Sequence, residues 1–481
     1  TMRRQLITLA AVAGLAAATT ASTTAHAAPD RSTADSVVRD YLVVADTTSL
    51  PRGLARRVSA AGGEVLQSVP EIGVLTAQSA DADFADAIRG VRGVRSVSAS
   101  PSVMRLDPAS TVAGPAVAAY GNPPTSGDDD FFFDLQWGHD AVDAPEAWDE
   151  GLRGAGTRVA VLDGGFDLDH PDLAPNIDLA ASASFVPGEE LQYAIADTFS
   201  HGSHTAGTIG AADNAFGTIG VAPETTLVLG KVLPDAGCGG DGPILEGIVH
   251  AAGPADADVI NMSLGAVMDK RGYLEPGCDD GPEDDVYMTA ADVAEIRFAY
   301  KRAVDYATAQ GATVIASAGN EASDADHTAD RIHLPSDAPG VLSISATAPI
   351  GWATDPENAF LDHPATYTNY GRSAIDFSAP GGDVAYPGDE DCVVAGLLRP
   401  CWVFDLVFST GNGGWYWSAG TSMAAPHASG VAALVIGEHG GDLRPARVAA
   451  ELRGLADPLG GGNDPVYGKG AIDATDAVEE D

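Results

Sequence analysis

At 481 residues the chain has room for two or three domains and a sizeable core. Its formal net charge of −42 is unevenly placed: residues 1–127 hold 11 basic and 10 acidic side chains, leaving 15 and 58 for the remainder. A field of that sign repels nucleic acid and anionic membranes, which excludes both as expected partners, and it favours a soluble monomer, cationic substrates or bound cations.

Residues 1–27 read as a secretory signal. Arg3 and Arg4 form its basic start, residues 6–18 its apolar centre, and Ala25-His26-Ala27 an A-x-A cleavage site. That predicts an extracellular protein. No later run reaches the roughly 18 apolar residues that a membrane span needs. Four cysteines suit an oxidising compartment, and of three possible pairings the nearest-neighbour one joins Cys238 to Cys278 and Cys392 to Cys401. No C-x-x-C spacing marks a zinc site.

Residues 28–106 carry their own pattern: a strand at 41–44, a helix at 51–61, two strands within 64–78, a helix at 82–88 and a strand at 94–97. That β-α-β-β-α-β order predicts a small ferredoxin-like α+β sandwich. Residues 107–127 are rich in Pro, Ala, Gly, Ser and Thr with no hydrophobic period, and read as a linker open to processing. Beyond them, over 128–481, strands at 159–162, 227–232, 259–262, 313–317 and 341–346 alternate with helical segments, ending in an amphipathic helix at 443–455. The alternation predicts an α/β domain with a mainly parallel sheet and helices on both faces.

Chemistry concentrates at the ends of these elements. Asp163 closes a short apolar strand and precedes Gly164-Gly165, where open α/β sheets place catalytic groups. His201 opens the small-residue helix His201-Gly202-Ser203-His204. Val314 to Ser317 is a buried strand, and Asn320 follows it in Ser317-Ala318-Gly319-Asn320. In Gly420-Thr421-Ser422-Met423-Ala424-Ala425-Pro426-His427, Ser422 stands at a helix start with Pro426 expected in the first turn. Free N–H groups and the positive dipole end surround its hydroxyl. Ser422, His201 and Asp163 thus supply a nucleophile, a base and a carboxylate to orient that base, while Asn320 can donate to an oxyanion.

Those motifs, with Asn261-Met262-Ser263-Leu264-Gly265, occur in the order Asp, His, Ser and resemble the subtilisin-like serine peptidases (subtilases) over roughly residues 134–478. The resemblance implies that Ser422 attacks, His201 is general base, Asp163 orients it and Asn320 completes the oxyanion hole. It implies polypeptide substrates and no catalytic cofactor. By position, residues 28–106 are similar to subtilase propeptides, which assist folding and then inhibit. Ser263, Leu264 and Gly265 should pair with an extended peptide, and Ser317, Ala318 and Gly319 should line the opposite wall of the primary pocket, with Glu321 at a rim that welcomes a basic side chain. Asp172 and Asn214 match the family's tight calcium site, which would add a structural ion. The acidic cluster of Asp279, Asp280, Glu283, Asp284 and Asp285 is read chiefly as a solvated loop.

One position departs from the family. Gly164 replaces the usual Ser or Thr after the catalytic aspartate, leaving a carboxylate lone pair for another donor to satisfy. Segments 266–306 and 382–417 also exceed minimal connections. Two rival readings remain open: a metal-dependent hydrolase using Asp163, His201 and His204, and a subtilase body that binds peptides without cleaving them. Against the first, metalloprotease helices want histidines at i and i+4 around a glutamate.

Overall fold

The computed structural model describes residues 37–101, 104–106, 108–115, 128–278 and 285–475. The expected signal segment lies outside them, as do residues 279–284 of the acidic cluster.

The first unit is β1 (Arg39–Ala45), α1 (Leu54–Ala60), β2 (Gly63–Val69), β3 (Val74–Ser79), α2 (Phe84–Arg89) and β4 (Val94–Ala99). Its strands form one antiparallel sheet in the order β2-β3-β1-β4. The two-residue period of a strand sends alternate side chains to opposite faces. Tyr41 and Val43 pack on Leu54, Val58, Phe84 and Ile88 of the unit's own helices. Leu42 and Val44 point the other way, into a second and larger core. Both faces are buried, which is why this strand reads as a continuous apolar run.

Next come β5 (Met104–Arg105) and β6 (Ser110–Ala113), then α3 (Trp137–Asp140), α4 (Ala144–Asp149), β7 (Arg158–Asp163), β8 (Ala183–Ser184), α5 (His201–Gly210) and β9 (Thr226–Lys231). The chain continues through β10 (Cys238–Gly239), α6 (Asp241–Ala252), β11 (Val259–Met262), β12 (Ala266–Asp269), β13 (Gly272–Glu275), β14 (Val286–Thr289) and α7 (Ala290–Gln310). It then forms β15 (Thr313–Ser317), β16 (Arg331–Leu334), β17 (Val341–Ala348), β18 (His363–Pro364) and β19 (Phe377–Pro380). It ends with β20 (Asp391–Val394), β21 (Leu397–Pro400), β22 (Val407–Thr410), β23 (Trp415–Ala419), α8 (Thr421–Glu438) and α9 (Pro445–Leu455).

The central sheet runs β18-β17-β15-β11-β7-β9-β8, with β19 also paired to β17. All its pairings are parallel except that of β17 with β18. Helices cover both faces, as the alternation predicts. Ala160 and Leu162 of β7 face the core that holds Ile244, Ile248, Ile296 and Val304 of α6 and α7. Val159 and Val161 face Ala206, Ile209, Ala428 and Val431 of α5 and α8. Asp163, Ser263 and Asn320 therefore lie at or just beyond the carboxyl ends of the adjacent middle strands β7, β11 and β15.

The first unit docks on α6 and α7. Ser100 donates to the buried Asp241 carboxylate at 2.7 Å, the Ala99 N–H to Asp292 at 3.1 Å, and Arg95 pairs with Glu295 at 2.9 Å. The long segments are not bare loops. One holds the β13–β14 hairpin and the other the β20–β21 hairpin and β22–β23. Disulfides join Cys238 to Cys278 and Cys392 to Cys401. Residues 110–113, expected to be a linker without pattern, instead form β6 against β23. A strand of Ser, Thr, Val and Ala carries too little apolar signal to be seen without its partner. Among the described residues no helix is long and apolar enough to cross a membrane.

Candidate active site

Ser422 is the second residue of α8. Pro426 is the helix's sixth residue, not part of its first turn as expected. A proline there cannot donate to the carbonyl four residues back, which is that of Ser422. The freed carbonyl accepts the Ser263 hydroxyl at 2.8 Å. Ser263 in turn accepts from Asn261 at 3.1 Å, and the Asn261 oxygen accepts from Ser429 at 3.0 Å. This chain of bonds ties the start of α8 to the end of β11. The Ser422 Oγ itself donates to the Ser263 carbonyl at 3.3 Å.

Asp163 is fully buried at the end of β7, and its two oxygens lie 2.8 and 3.0 Å from Nδ1 of His201. The donor that Gly164 cannot supply through a side chain comes from elsewhere. Thr205, one turn beyond His201 on α5, donates its hydroxyl at 3.1 Å, and the Gly164 N–H donates at 2.7 Å. Leu106 lies against Gly164, where a Cβ would come within 2.9 Å of its Cδ1. Ser200 caps α5 by accepting from the Ser203 N–H, which fixes where His201 leaves the helix start. Among the described residues Nε2 of His201 has no hydrogen-bond partner. The ring is thus held by one nitrogen and left open at the other.

Asn320 follows β15, and its oxygen accepts from both the N–H and the hydroxyl of Thr421, each at 2.9 Å. The Asn320 Nδ2 lies beside Gly420, 3.5 Å from where a Cβ on that residue would stand. The cleft beside Ser422 is lined by Leu264, Gly265, Ser317, Gly319 and Asn320. Ser263 and Ala318 stand behind it: the Ala318 N–H bonds the Ile344 carbonyl, and its carbonyl accepts from Asn369. Glu321 lies at the rim, accepting from Asn369 at 2.6 Å.

Arg105, Ala266, Val267 and Thr421 also line the cleft and were missed from sequence, as were two titratable residues, His333 of β16 and Glu275 of β13. A Cβ on Gly265 would meet the His333 ring at 2.3 Å, and one on Gly319 would meet it at 2.8 Å. The imidazole is therefore wedged between the two walls, and burial lowers its pKa. Glu275 is 8% exposed, and burial raises its pKa. His333 comes to the cleft through the pairing of β12 with β16, and Glu275 through the β13–β14 pair.

His204 does not join a metal triad. Its Nε2 bonds the Tyr416 carbonyl at 3.1 Å, and burial pushes its pKa down to about 3. The Asp172 Oδ2 accepts from the Thr218 N–H, the Thr218 hydroxyl and Trp415, and Oδ1 has no partner among the described residues. Burial pushes Asp172 up to about 6. Asn214 donates to the Pro171 carbonyl at 3.3 Å. The carboxylates that converge nearby are others: Asp128, Asp129, Asp130 and Asp213, with oxygens all within 4.8 Å of one another. Asp130 is fully buried, with Oδ2 lacking a partner among the described residues.

A mainly parallel α/β sheet with a serine in the first turn of one helix and a carboxylate-anchored histidine at the start of another fits the serine protease class. The sequence profile of the subtilase family matches residues 154–470. Subtilisin E of Bacillus subtilis (strain 168) is 32% identical over 346 residues, covering 72% of this chain and 71% of its own. Subtilisin Savinase of Lederbergia lenta is 32% identical over 72% of this chain and 98% of its own. Among solved structures, the epidermin leader peptide processing serine protease EpiP of Staphylococcus aureus superposes with a TM-score of 0.68 at 21% identity, covering 91% of this chain and 97% of that one. A lanthipeptide protease superposes with a TM-score of 0.54 at 28% identity, over 71% and 93%. The chain belongs to the subtilase family.

Proposed function

We propose that this protease is a secreted endopeptidase, made as a precursor whose residues 28–106 fold, inhibit and are then cut away by the enzyme itself. The observation that carries the catalytic reading is the two-point hold of Asp163 on Nδ1 of His201, with Nε2 left free to take a proton. Ser422 Oγ leaves the Ser263 carbonyl, gives its proton to Nε2 and attacks the scissile carbonyl. Negative charge gathers on the carbonyl oxygen, where Asn320 and the Ser422 N–H, in the first turn of α8, donate to it. His201 returns the proton to the leaving amine, and water then releases the acyl group by the reverse sequence.

The chain's own segment supports the precursor reading. The Arg105 N–H and carbonyl pair with Gly265 at 3.0 and 3.2 Å, the Leu106 N–H bonds the Gly237 carbonyl, and the Ala109 N–H bonds the Ala419 carbonyl. Residues 105–106 thus pair beside the cleft that Ser422 lines and residue 109 pairs with the strand that leads to Ser422, which puts the proposed cut between Leu106 and Ala109. Main-chain pairing with Gly265 gives affinity without side-chain selectivity. Selectivity falls to the pocket, where Glu321 and Glu275 favour a basic side chain. A divalent cation is proposed near Asp172 and Asn214, with Asp128, Asp129, Asp130 and Asp213 as the better-converged oxygen donors. The net charge favours a monomer.

Intact masses of wild type and Ser422→Ala, expressed in a host without extracellular peptidases, test the reading. The wild type should lose residues up to a bond in the 106–109 interval, and the variant should keep them. Trimming of the variant at the same bond would show that processing is not autocatalytic. A wild type that stays whole and cleaves no peptide would put the peptide-binding reading ahead.

A further inference from the structure

Arg105 of the chain's own segment is held from two sides. Its N–H and carbonyl pair with Gly265 at 3.0 and 3.2 Å, and it stands opposite Cys238 in the two-stranded sheet β10-β5. Cys238 is bonded to Cys278. Just before Cys278 comes the buried Gly277, whose carbonyl accepts from the Arg105 Nη2 at 3.4 Å. Glu275, two residues earlier and 8% exposed, lines the cleft together with Arg105. The disulfide thus fastens the β10 wall to the segment that receives the guanidinium.

Among the described residues β10 has no strand partner besides β5. When residues up to 106 leave, that pairing goes with them. The bond from Cys238 to Cys278 then keeps β10 beside Glu275 and Gly277. Charge points the same way. Of the described residues that line the cleft, Arg105 is the sole Lys or Arg, whereas Glu275 and Glu321 are acidic. Burial raises the Glu275 pKa, and the charge of Arg105 acts against that rise. A departing Arg105 therefore leaves a carbonyl and a carboxyl group suited to a cationic donor. A guanidinium, with five N–H donors and no acceptor, fits both.

We propose that Glu275, the Gly277 carbonyl and the Cys238–Cys278 disulfide that clamps them form a subsite for a basic side chain on the substrate residue that pairs with Gly265. It is separate from the rim of the primary pocket, where Glu321 stands. The inference rests on the reading that residues 105–106 occupy the cleft as a substrate does. It gives the disulfide a positioning role: without the clamp, the acceptors and the β10 wall no longer face the same side chain.

Two peptides copying residues 101–113 of the chain, with either Arg or Gln in the place of Arg105, test this. They are assayed on wild-type enzyme whose residues up to 106 are absent by intact mass, on Glu275→Gln, and on the double variant Cys238→Ser/Cys278→Ser. The quantity read is the ratio of kcat/KM, Arg over Gln, within each enzyme, so that differences in active fraction cancel. Wild type should give a ratio of about five, the upper scale of a partly solvated ion pair, and both variants should bring it to about two or below. A ratio near one in wild type would overturn the subsite. An undiminished ratio in Glu275→Gln would overturn it as well, and that variant decides the matter if the double variant fails to fold. A wild type that cuts a denatured protein but neither peptide would instead contradict the reading of residues 105–106 as a substrate mimic, and the inference would fall with it.

Discussion

The candidate residues Asp163, His201, Asn320 and Ser422 were legible because each stands in a short motif at or just past the end of a strand or in the first turn of a helix. Their supporting side chains were not. Gly164 announces a missing donor, but that Thr205 supplies it follows only from α5 turning the hydroxyl onto the carboxylate. Thr205→Val should lower kcat by about threefold to thirtyfold, the worth of one hydrogen bond to a charged group, with KM unchanged. An unaltered kcat would mean that the Gly164 N–H and His201 alone hold Asp163. Asn320→Ala should slow kcat by about 10²–10³, a loss known for the corresponding donor in subtilisin itself rather than deduced from this geometry. Steady-state kinetics on one peptide substrate measure both.

Strands and helices of the central sheet were read close to their observed bounds, since fully buried parallel strands are continuous apolar runs. The walls of the pocket were harder. Leu264, Gly265, Ser317 and Gly319 line it, whereas His333 and Glu275 arrive from β16 and β13, elements whose positions depend on pairings outside any local pattern. β6 was missed for the same reason. With Glu321 at the rim, Glu321→Gln should reduce the preference for Lys or Arg before the cut by about twofold to fivefold, the scale of a partly solvated ion pair. Profiling cleavage sites of both enzymes on a peptide library reads that ratio directly. An unchanged profile would remove Glu321 from substrate selection.

Across the whole molecule the excess acid shapes stability. Asp140, Asp405 and Asp473 are each pushed up to about 7, first by burial. Carboxyls with raised folded pKa stabilise the fold fully below their unfolded value near 3.9, and that contribution is lost as pH rises through about 7. The buried histidines His139, His170, His204 and His427, lowered to about 3–4, oppose this only as pH falls below about 6.5. The thermal midpoint of Ser422→Ala, which avoids self-digestion, should therefore be higher at about pH 6.5 than at pH 8 in the presence of EGTA. A midpoint that climbs toward pH 8 would contradict the buried-acid account. Millimolar calcium should raise the midpoint at pH 8 by mass action on the native state. Equal midpoints with calcium and with EGTA would remove the cation from the account.

The most direct test of the central claim is to label the enzyme with a fluorophosphonate and map the modified residue by peptide mass spectrometry. A single adduct on Ser422, formed in step with loss of peptidase activity and absent from His201→Ala, is the predicted result. Full inactivation with the adduct on another residue, or full activity with Ser422 modified, would contradict the assignment of Ser422 as the nucleophile.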